Sequence, residues 1–381
     1  MKALVTLAAL SVALAVAGCA SPSSPGASSI PALPVAARAQ HDPAGEYLYV
    51  ENNNSTISAF SVAADGALTE ISGSPFPSQT NGPADYSIAV DPQGPYLYVT
   101  GTVTGNIAVF SIGQGGTLDL VSDNTDAGTG ASFPLLTKSD DRLYVIDAVN
   151  GGSVAAFDLS GHGKKLKSIA GSPYAVSCPG FCDSNPSSAV IGGAYLYTVD
   201  TYGWYVSSFS IAKNGALTEL NSYATGYGPQ QAVITPNGKE LYVTNAAQAS
   251  VSGYSVSAGV LTPLAASPFA AGGTPLGIAI APNGKHVYAA NSADGTITGY
   301  AVSAAGLKAL PGSPFADGTG TGPAALTVDR TGAHLFVTNN NTEAIAVYAI
   351  SKSGALSPVP GSPFTENAGA SGPHGVALYY S

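Results

Sequence analysis

The sequence has few charged residues, and cations are the scarcer kind. Of its 381 residues 9% are charged, with 13 Lys and Arg against 23 Asp and Glu, so the formal net charge is −10. Nucleic acids are held mainly by cations that neutralise phosphates, and no basic stripe exists here. The three arginines are Arg38, Arg142 and Arg330, which leaves little for forked recognition of phosphates or sugar acids. We therefore expect no nucleic-acid partner.

Cysteine is scarce too, with three residues, Cys19, Cys178 and Cys182. The last two are separated by three residues, and in an oxidising compartment such a close pair is expected to form a local disulfide. A metal site is the alternative, but no histidine or third cysteine lies nearby in sequence. We predict no metal and no cofactor.

The long apolar run of the chain, residues 3–16, follows Lys2 and is too short for a comfortable membrane span. It leads into Val-Ala-Gly-Cys at 16–19, which resembles a bacterial lipobox. That resemblance implies a lipoprotein signal peptide over residues 1–18 and a lipid on Cys19; an ordinary signal peptide is the alternative. Residues 19–41, rich in Ser, Pro and Ala, are predicted to be a tether that buries no core. We expect an exported lipoprotein on the periplasmic side or at the outer membrane of a bacterium.

What the sequence does contain is a repeat. A Leu-Tyr-Val type pattern returns seven times at a period of about 48 residues, with its first position at Leu48, Leu97, Leu143, Leu196, Leu241, Val287 and Leu335. Each unit divides into four strand signals separated by Pro/Gly and Asn-Gly type turns, and several end on Gly-Ser-Pro-Phe. Four strands in each of seven units predict an all-β, seven-bladed β-propeller over residues 42–381.

The two ends of the repeat region complement each other. The first unit begins at its turn and lacks a preceding strand, whereas residues 372–378 match that missing strand. We therefore predict that the C-terminal strand completes blade one and closes the ring, which removes exposed sheet edges.

The motifs Tyr-Val-Thr-Asn at 242–245 and Phe-Val-Thr-Asn at 336–339 resemble the YVTN group of propellers. That group is similar to the lactonase family, which includes 6-phosphogluconolactonases and carboxymuconate-cyclising enzymes. The resemblance implies a Pro-His motif at the inner end of a blade, with Glu and Arg at the channel mouth. Pro373-His374 matches this motif, and the equivalent positions in the other blades are Tyr86, Ser132, Ser187, Gln230, Leu276 and Ala324. Arg142 and Arg330 fall in turns predicted on the opposite face.

Blade one contains the candidate catalytic pair. The turn lengths predict that His374 lies opposite or diagonal to Glu51, where the other blades have Thr, Ile, Val or Ala. A histidine beside a carboxylate can act as a general base toward water attacking a lactone. The same two residues can also form a cross-strand ion pair that secures ring closure. His286 and His334 occupy equivalent turn positions and are predicted to be solvated.

Asn or Asp recurs where second strands end, at Asn52, Asp147, Asp200, Asn245, Asn291 and Asn339. Such a ring at a channel mouth can coordinate a cation or a sugar, but these residues also commonly cap their own turns. The second interpretation is favoured because turn chemistry alone explains the recurrence. Tyr86 and Gln230 are further binding candidates.

Aromatic residues cluster at Tyr202, Trp204 and Tyr205, as is common for anchors of glycans or protein partners; the alternative is that they cover the inserted loop that contains Cys178 and Cys182. Because arginines are scarce, charge is low and export is expected, we predict a monomeric, lipid-anchored binding or scaffold module of the cell envelope, with an envelope protein or a glycan as its partner. The alternative is a periplasmic lactonase that hydrolyses a sugar lactone with His374 and Glu51.

Overall fold

The structure is a computed structural model that describes residues 45–80, 88–139, 141–149, 151–159, 165–177, 179, 184–318, 322–366 and 370–381. It consists of seven antiparallel sheets, and each sheet is one blade of a propeller. The predicted signal peptide, the tether, Cys19, Tyr86 and the Cys178–Cys182 pair lie outside the described residues. Within the part that is described, no helix is long and apolar enough to cross a membrane.

The strands follow the chain in blade order. Blades one to three contain β1 (Glu46–Asn52), β2 (Thr56–Val62), β3 (Leu68–Glu70), β4 (Phe76–Pro77), β5 (Ile88–Val90), β6 (Tyr96–Thr100), β7 (Asn106–Ile112), β8 (Leu118–Asp126), β9 (Ala131–Leu136), β10 (Arg142–Asp147), β11 (Ser153–Asp158), β12 (Lys167–Ser168) and β13 (Tyr174–Ala175). Blades four and five contain β14 (Pro186–Gly192), β15 (Tyr195–Asp200), β16 (Tyr205–Ile211), β17 (Leu217–Ala224), β18 (Pro229–Ile234), β19 (Glu240–Asn245), β20 (Ser250–Ser257), β21 (Val260–Pro263) and β22 (Phe269–Ala270).

Blades six and seven complete the ring. They contain β23 (Pro275–Ile280), β24 (His286–Asn291), β25 (Thr296–Ser303), β26 (Gly306–Ala309), β27 (Phe315–Ala316), β28 (Pro323–Val328), β29 (His334–Asn339), β30 (Ala344–Ile350), β31 (Leu356–Pro358) and β32 (Phe364–Thr365). The last strand, β33 (Pro373–Tyr380), belongs to blade one. Two short 3-10 helices occupy Gln114–Gly116 and Ala246–Gln248.

The C-terminus closes the ring as the sequence predicted. Strand β33 pairs antiparallel with β1, with Leu48 opposite Leu378 and Val50 opposite Val376, so the sheet order of blade one is β33-β1-β2-β3. The innermost strands of all seven blades contact one another in a closed cycle, β33-β5-β9-β14-β18-β23-β28. The all-β, seven-bladed propeller closed by a C-terminal strand is therefore confirmed.

The core lies between blades, because each second strand alternates its side chains between two neighbours. In blade one, Tyr49 packs toward blade two, whereas Leu48 and Val50 pack toward blade seven, and all three are completely buried. Burying a side chain of this size contributes about 1.5–3 kcal/mol. The recurring Leu-Tyr-Val triplet thus supplies both faces of every blade contact.

The Gly-Ser-Pro-Phe motif ties the outer edge of five blades to the third strand. Its Ser-Pro bond is cis in each, and the serine hydroxyl accepts a hydrogen bond from a third-strand amide, as between Ala59 N and Ser74 Oγ at 3.0 Å. The same bond recurs at Ser172, Ser267, Ser313 and Ser362. The chain then forms the two-residue outer strand and passes to the next blade.

The prediction that His286 and His334 are solvated was wrong. His286 is 7% exposed, and burial lowers its pKa. His334 donates or accepts at Nδ1 toward Asp329 Oδ2 at 2.8 Å. Their turns pack against the next blade along the ring, because Gly354 and Gly66 lie directly on the two imidazole rings. Interblade packing, which no local pattern reveals, buries them.

Candidate functional site

One face of the propeller carries the channel mouth, where innermost strands begin and second strands end. At this face a proline that opens the innermost strand pairs with the Asn or Asp that ends the second strand. These pairs are Pro186 with Asp200, Pro229 with Asn245, Pro275 with Asn291, Pro323 with Asn339 and Pro373 with Asn52. A register irregularity follows each proline, so the next residue lies in a bulge, a common way to re-aim a side chain beside a site.

We call the residues in or beside these bulges the mouth ring, which comprises Ser132, Ser187, Gln230, Leu276, Ala324 and His374. One hydrogen bond connects two neighbouring members, because Ser187 Oγ donates to Gln230 O at 2.8 Å. Thr338 Oγ1, on the second strand of blade seven, donates to His374 O at 3.4 Å. His374 is the one titratable side chain among these six described positions. The predicted binding residue Gln230 is half-buried, and its own amide donates to Gly228 O at 3.5 Å.

The register of blade one places the predicted catalytic pair side by side along the strands. Glu51 is opposite Gly375, and His374 is the next residue, within the bulge that ends at Pro373. Glu51 is completely buried, whereas His374 is partly exposed. Glu51 lies two residues from Tyr49, on the strand face that packs toward blade two. His374 is the extra residue of the bulge, where the regular alternation of side chains is interrupted.

The Asn residues at the ends of second strands are buried and bonded within their own blades. Asn245 Nδ2 donates to the hydroxyls of Ser250 and Ser252, both at 3.0 Å. Asn52 and Asn291 each bridge two third-strand hydroxyls in the same way. Asn339 is equally buried. These amides hold the second and third strands together at the mouth.

The two Asp residues at the ends of second strands accept hydrogen bonds from nearby backbone amides and from a serine hydroxyl. Asp200 Oδ2 accepts from Ser184 Oγ at 2.6 Å, and its Oδ1 accepts from Gly203 N at 2.7 Å. Asp147 Oδ1 accepts from Val149 N at 3.0 Å, and burial raises the pKa of Asp147. The described residues contain no group of three or more His, Cys, Asp or Glu side chains arranged to hold a metal ion.

Sequence reasoning missed Glu366, at the junction of blades seven and one. Both carboxylate oxygens are buried, and within the described residues neither makes a hydrogen bond of normal geometry. The pKa of Glu366 is raised to about 7, mainly by burial and also by the carboxylates of Glu70 and Glu343, while the Ser58 hydroxyl opposes the shift. Comparison of the repeats could have identified this residue. The position that follows each two-residue outer strand is occupied by Ser78, Val176, Ala271, Asp317 and Glu366, of which two are acidic.

Three aromatic side chains form an exposed group on the mouth face of blades four and five. The rings of Trp204 and Tyr227 meet edge to face with centroids 4.6 Å apart, and Tyr202 is 70% exposed. We call Tyr202, Trp204 and Tyr227 the aromatic platform. Tyr227 was not predicted from the sequence, because it belongs to the next blade. Tyr205, which was predicted as a member of the cluster, begins strand β16.

The fold is a seven-bladed propeller, and its repeats carry different side chains at the channel mouth. The model of the lactonase family, described as a seven-bladed β-propeller, matches residues 37–131 and 122–359. The chain belongs to this lactonase family. No curated protein sequence matches the chain.

Solved structures repeat the architecture at low sequence identity. A putative 6-phosphogluconolactonase from Bacteroides uniformis has 18% identity and a TM-score of 0.73, covering 89% of this chain and 100% of its own. The periplasmic gluconolactonase of Pseudomonas aeruginosa has 18% identity and a TM-score of 0.70, covering 88% and 99%. A putative 6-phosphogluconolactonase from Bacteroides fragilis has 17% identity and a TM-score of 0.70, covering 88% and 98%. At this identity the likeness concerns the fold.

Proposed function

We propose that the protein is an exported, lipid-anchored propeller that binds a glycan of the cell envelope on its aromatic platform. The observation that carries this proposal is the edge-to-face contact of Trp204 with Tyr227, both large and substantially exposed. Apolar ring faces with polar tips suit the alternating CH and OH surfaces of a sugar. The low charge of the chain supports a neutral or weakly charged ligand.

Trp204 has a backbone conformation that is unfavourable for a residue with a side chain, and glycine would form the same turn at lower cost. In all seven blades the residue before the third strand has a positive φ, at Ser55, Gly105, Gly152, Trp204, Ala249, Gly295 and Glu343. Glycine adopts this conformation freely, whereas a side chain there costs about 1–2 kcal/mol. Blade four nevertheless has the chain's one tryptophan at this position. A large aromatic held in an unfavourable conformation supports a role in binding.

The platform is also preorganised. Trp204 N donates to Asp200 O at 3.0 Å, and Trp204 O accepts from Thr225 N at 2.9 Å. Asp200 is itself anchored through Ser184 and Gly203. A rigid aromatic surface loses little conformational entropy when a ligand binds.

The test uses the secreted Cys19→Ser chain, which would lack the lipid, with purified peptidoglycan and a panel of envelope oligosaccharides. We expect retention on at least one glycan and a loss of about tenfold or more in affinity for Trp204→Ala and for Tyr227→Ala. Val260→Ala, which removes an exposed apolar side chain from an outer strand, is the matched control and should bind normally. Equal binding by all four proteins, or no retention on any glycan, contradicts the proposal.

Lipid attachment is tested separately with the full chain. Labelled fatty acid should enter the wild-type protein and not the Cys19→Ser variant, and only the wild type should sediment with membranes. Labelling of both proteins, or of neither, contradicts the anchor at Cys19.

A second candidate function is hydrolysis of a neutral sugar lactone. Family membership and the position of His374 in the mouth ring favour it, as does the periplasmic gluconolactonase with the same fold. The imidazole of His374 would take a proton from the attacking water. Glucono-1,5-lactone is the substrate to assay. A rate above spontaneous hydrolysis that His374→Ala abolishes supports this function, and no difference between the two proteins contradicts it.

A further inference from the structure

The face opposite the channel mouth is lined by the turns between first and second strands, and these turns pack on one another around the ring. In blade six the Cα of Gly284 lies against the proline ring of Pro236 in blade five, so closely that a Cβ there would be 3.1 Å from it. Gly332 of blade seven faces Pro282 of blade six in the same way, at 3.7 Å. A proline of one turn therefore meets a glycine of the next.

Blade four breaks this pattern because its turn is two residues shorter. In blade five six residues separate the paired Ile234 and Leu241, whereas in blade four only four separate Ile191 and Leu196. The shortened turn contains no proline. Consequently Gly238 of blade five has open space where a proline would lie, and Gly193 faces open space as well.

Beside the shortened turn lies a cavity of about 1130 Å³, which we call the blade-four cavity. Its apolar wall includes Ile191, Ile211, Ile234 and Val256, from blades four and five. Cavities that bind small molecules typically have about 300–1,000 Å³ and a mainly apolar lining. The blade-four cavity is slightly larger than this range and has the same mainly apolar character.

The ionisable side chains that line this cavity are mostly cationic. Among the described residues that line it, Lys138, Arg142 and Lys213 are cationic and Asp141 is the one carboxylate. Arg142 is engaged by Asp141 at 3.4 Å and by Asp158 at 3.7 Å. Among the described residues, Lys138 and Lys213 form no salt bridge within 4.0 Å, and both are exposed. Their charges are available to a ligand.

We propose that the blade-four cavity binds an amphiphilic carboxylate of the fatty-acid type. The apolar chain lies on the isoleucine wall, and the carboxylate lies near Lys138 and Lys213 at the rim. Because both lysines are exposed, their attraction for the carboxylate is screened by salt. This site is separate from the mouth ring and from the aromatic platform, so it does not depend on the proposed function.

The probe is dodecanoate, titrated into the non-lipidated Cys19→Ser chain by calorimetry below its micelle concentration. We expect binding at least about tenfold tighter than for dodecyltrimethylammonium, which has the same chain and the opposite charge. Added salt should weaken dodecanoate binding. Equal affinity for the two probes, or no binding of dodecanoate, overturns the proposal.

Two kinds of variant locate the site. Lys138→Glu and Lys213→Glu should each weaken dodecanoate binding by about fivefold or more, whereas Lys285→Glu, an exposed turn lysine outside the cavity, should not. Replacing residues 192–195 with a copy of residues 235–240 should fill the cavity and abolish binding while the melting temperature is retained. If that replacement unfolds the chain, the two rim variants still decide the question, and normal binding by both overturns the proposal.

Discussion

The hydroxyl of Tyr144 in blade three donates a hydrogen bond of 2.9 Å to the backbone carbonyl of Gly215 in blade four. The equivalent bonds run from Tyr49 to Gly116 and from Tyr288 to Gly354, each at 2.8 Å. In each case the acceptor belongs to the five-residue hairpin between the third and fourth strands of the next blade. The tyrosine of the repeat therefore fastens one blade to the next.

Tyr197 occupies the same position in blade four, yet its buried hydroxyl has no hydrogen-bond partner in the described part of the chain. Blade five explains this difference, because Ser257 pairs with Val260 across a two-residue turn that cannot reach the hydroxyl. Tyr242 is in the same situation facing blade six.

These two situations predict opposite effects of the same substitution. Tyr144→Phe should lower the free energy of unfolding by about 1–2 kcal/mol, because it leaves a buried carbonyl without its donor. Tyr197→Phe should be neutral or stabilising, because it removes a buried hydroxyl that lacks a partner. Urea unfolding of both variants measures the difference, and equal destabilisation would contradict the interblade bond.

Glu366 should make stability depend on pH. Its pKa is raised from 4.5 to about 7 in the folded protein, so the folded state holds this proton more tightly than the unfolded state. The free energy of unfolding should therefore fall as pH rises from 4.5 to about 7, by up to about 3 kcal/mol.

Glu366→Gln keeps this side chain neutral at every pH. We expect unchanged stability at pH 5 and higher stability than the wild type at pH 8, measured by urea unfolding. Asp119→Asn changes an exposed carboxylate on an outer strand of blade two, away from this junction, and is the matched control. A Glu366→Gln protein that retains the wild-type pH dependence would show that other groups cause it.

The Asn245 amide should be important for stability. It donates to two serine hydroxyls, and its Oδ1 accepts from Thr225 Oγ1 at 2.7 Å. Asn245→Ala should cost about 2–4 kcal/mol, since two buried serine hydroxyls and the half-buried hydroxyl of Thr225 lose a partner. Asn221→Ala, on an exposed outer-strand position, should cost little. Similar thermal shifts in both variants would argue against a structural role for the buried amides at the mouth.

Strand β33 should be essential for a closed ring. Deleting residues 373–381 removes the innermost strand of blade one and exposes the pairing edge of β1, so we expect loss of cooperative unfolding and aggregation on size-exclusion chromatography. Deleting Ser381 alone removes its side-chain hydrogen bonds with Gly45 and should leave a folded monomer. A soluble, cooperative protein without residues 373–381 would show that closure is dispensable.

The sequence was most informative where a feature repeats. Seven Leu-Tyr-Val units, the turn residues and the unpaired strand at residues 372–378 predicted the blades and their closure, because strand alternation and turn chemistry are local. The prediction for His286 and His334 failed for the converse reason. Their burial comes from glycines of a neighbouring blade, which are distant in sequence.

The residues of the candidate sites also differ in whether the sequence or the contact between blades reveals them. Trp204 and Tyr202 could be selected from the sequence as deviations from the repeat, whereas Tyr227 joins them only because adjacent blades meet at the mouth. His374 and Glu51 belong to strands that pair as predicted, but His374 lies in a bulge that is invisible in the residue pattern.

By itself, then, the sequence determined the number of blades, their strand order and the closing strand, since these follow from short-range periodicity and turn residues. The tertiary structure alone decided the Tyr144–Gly215 bond, the buried carboxyl of Glu366 and the cavity over blade four. Each of these depends on how one blade meets the next, and that contact is governed by packing distances that no single repeat encodes.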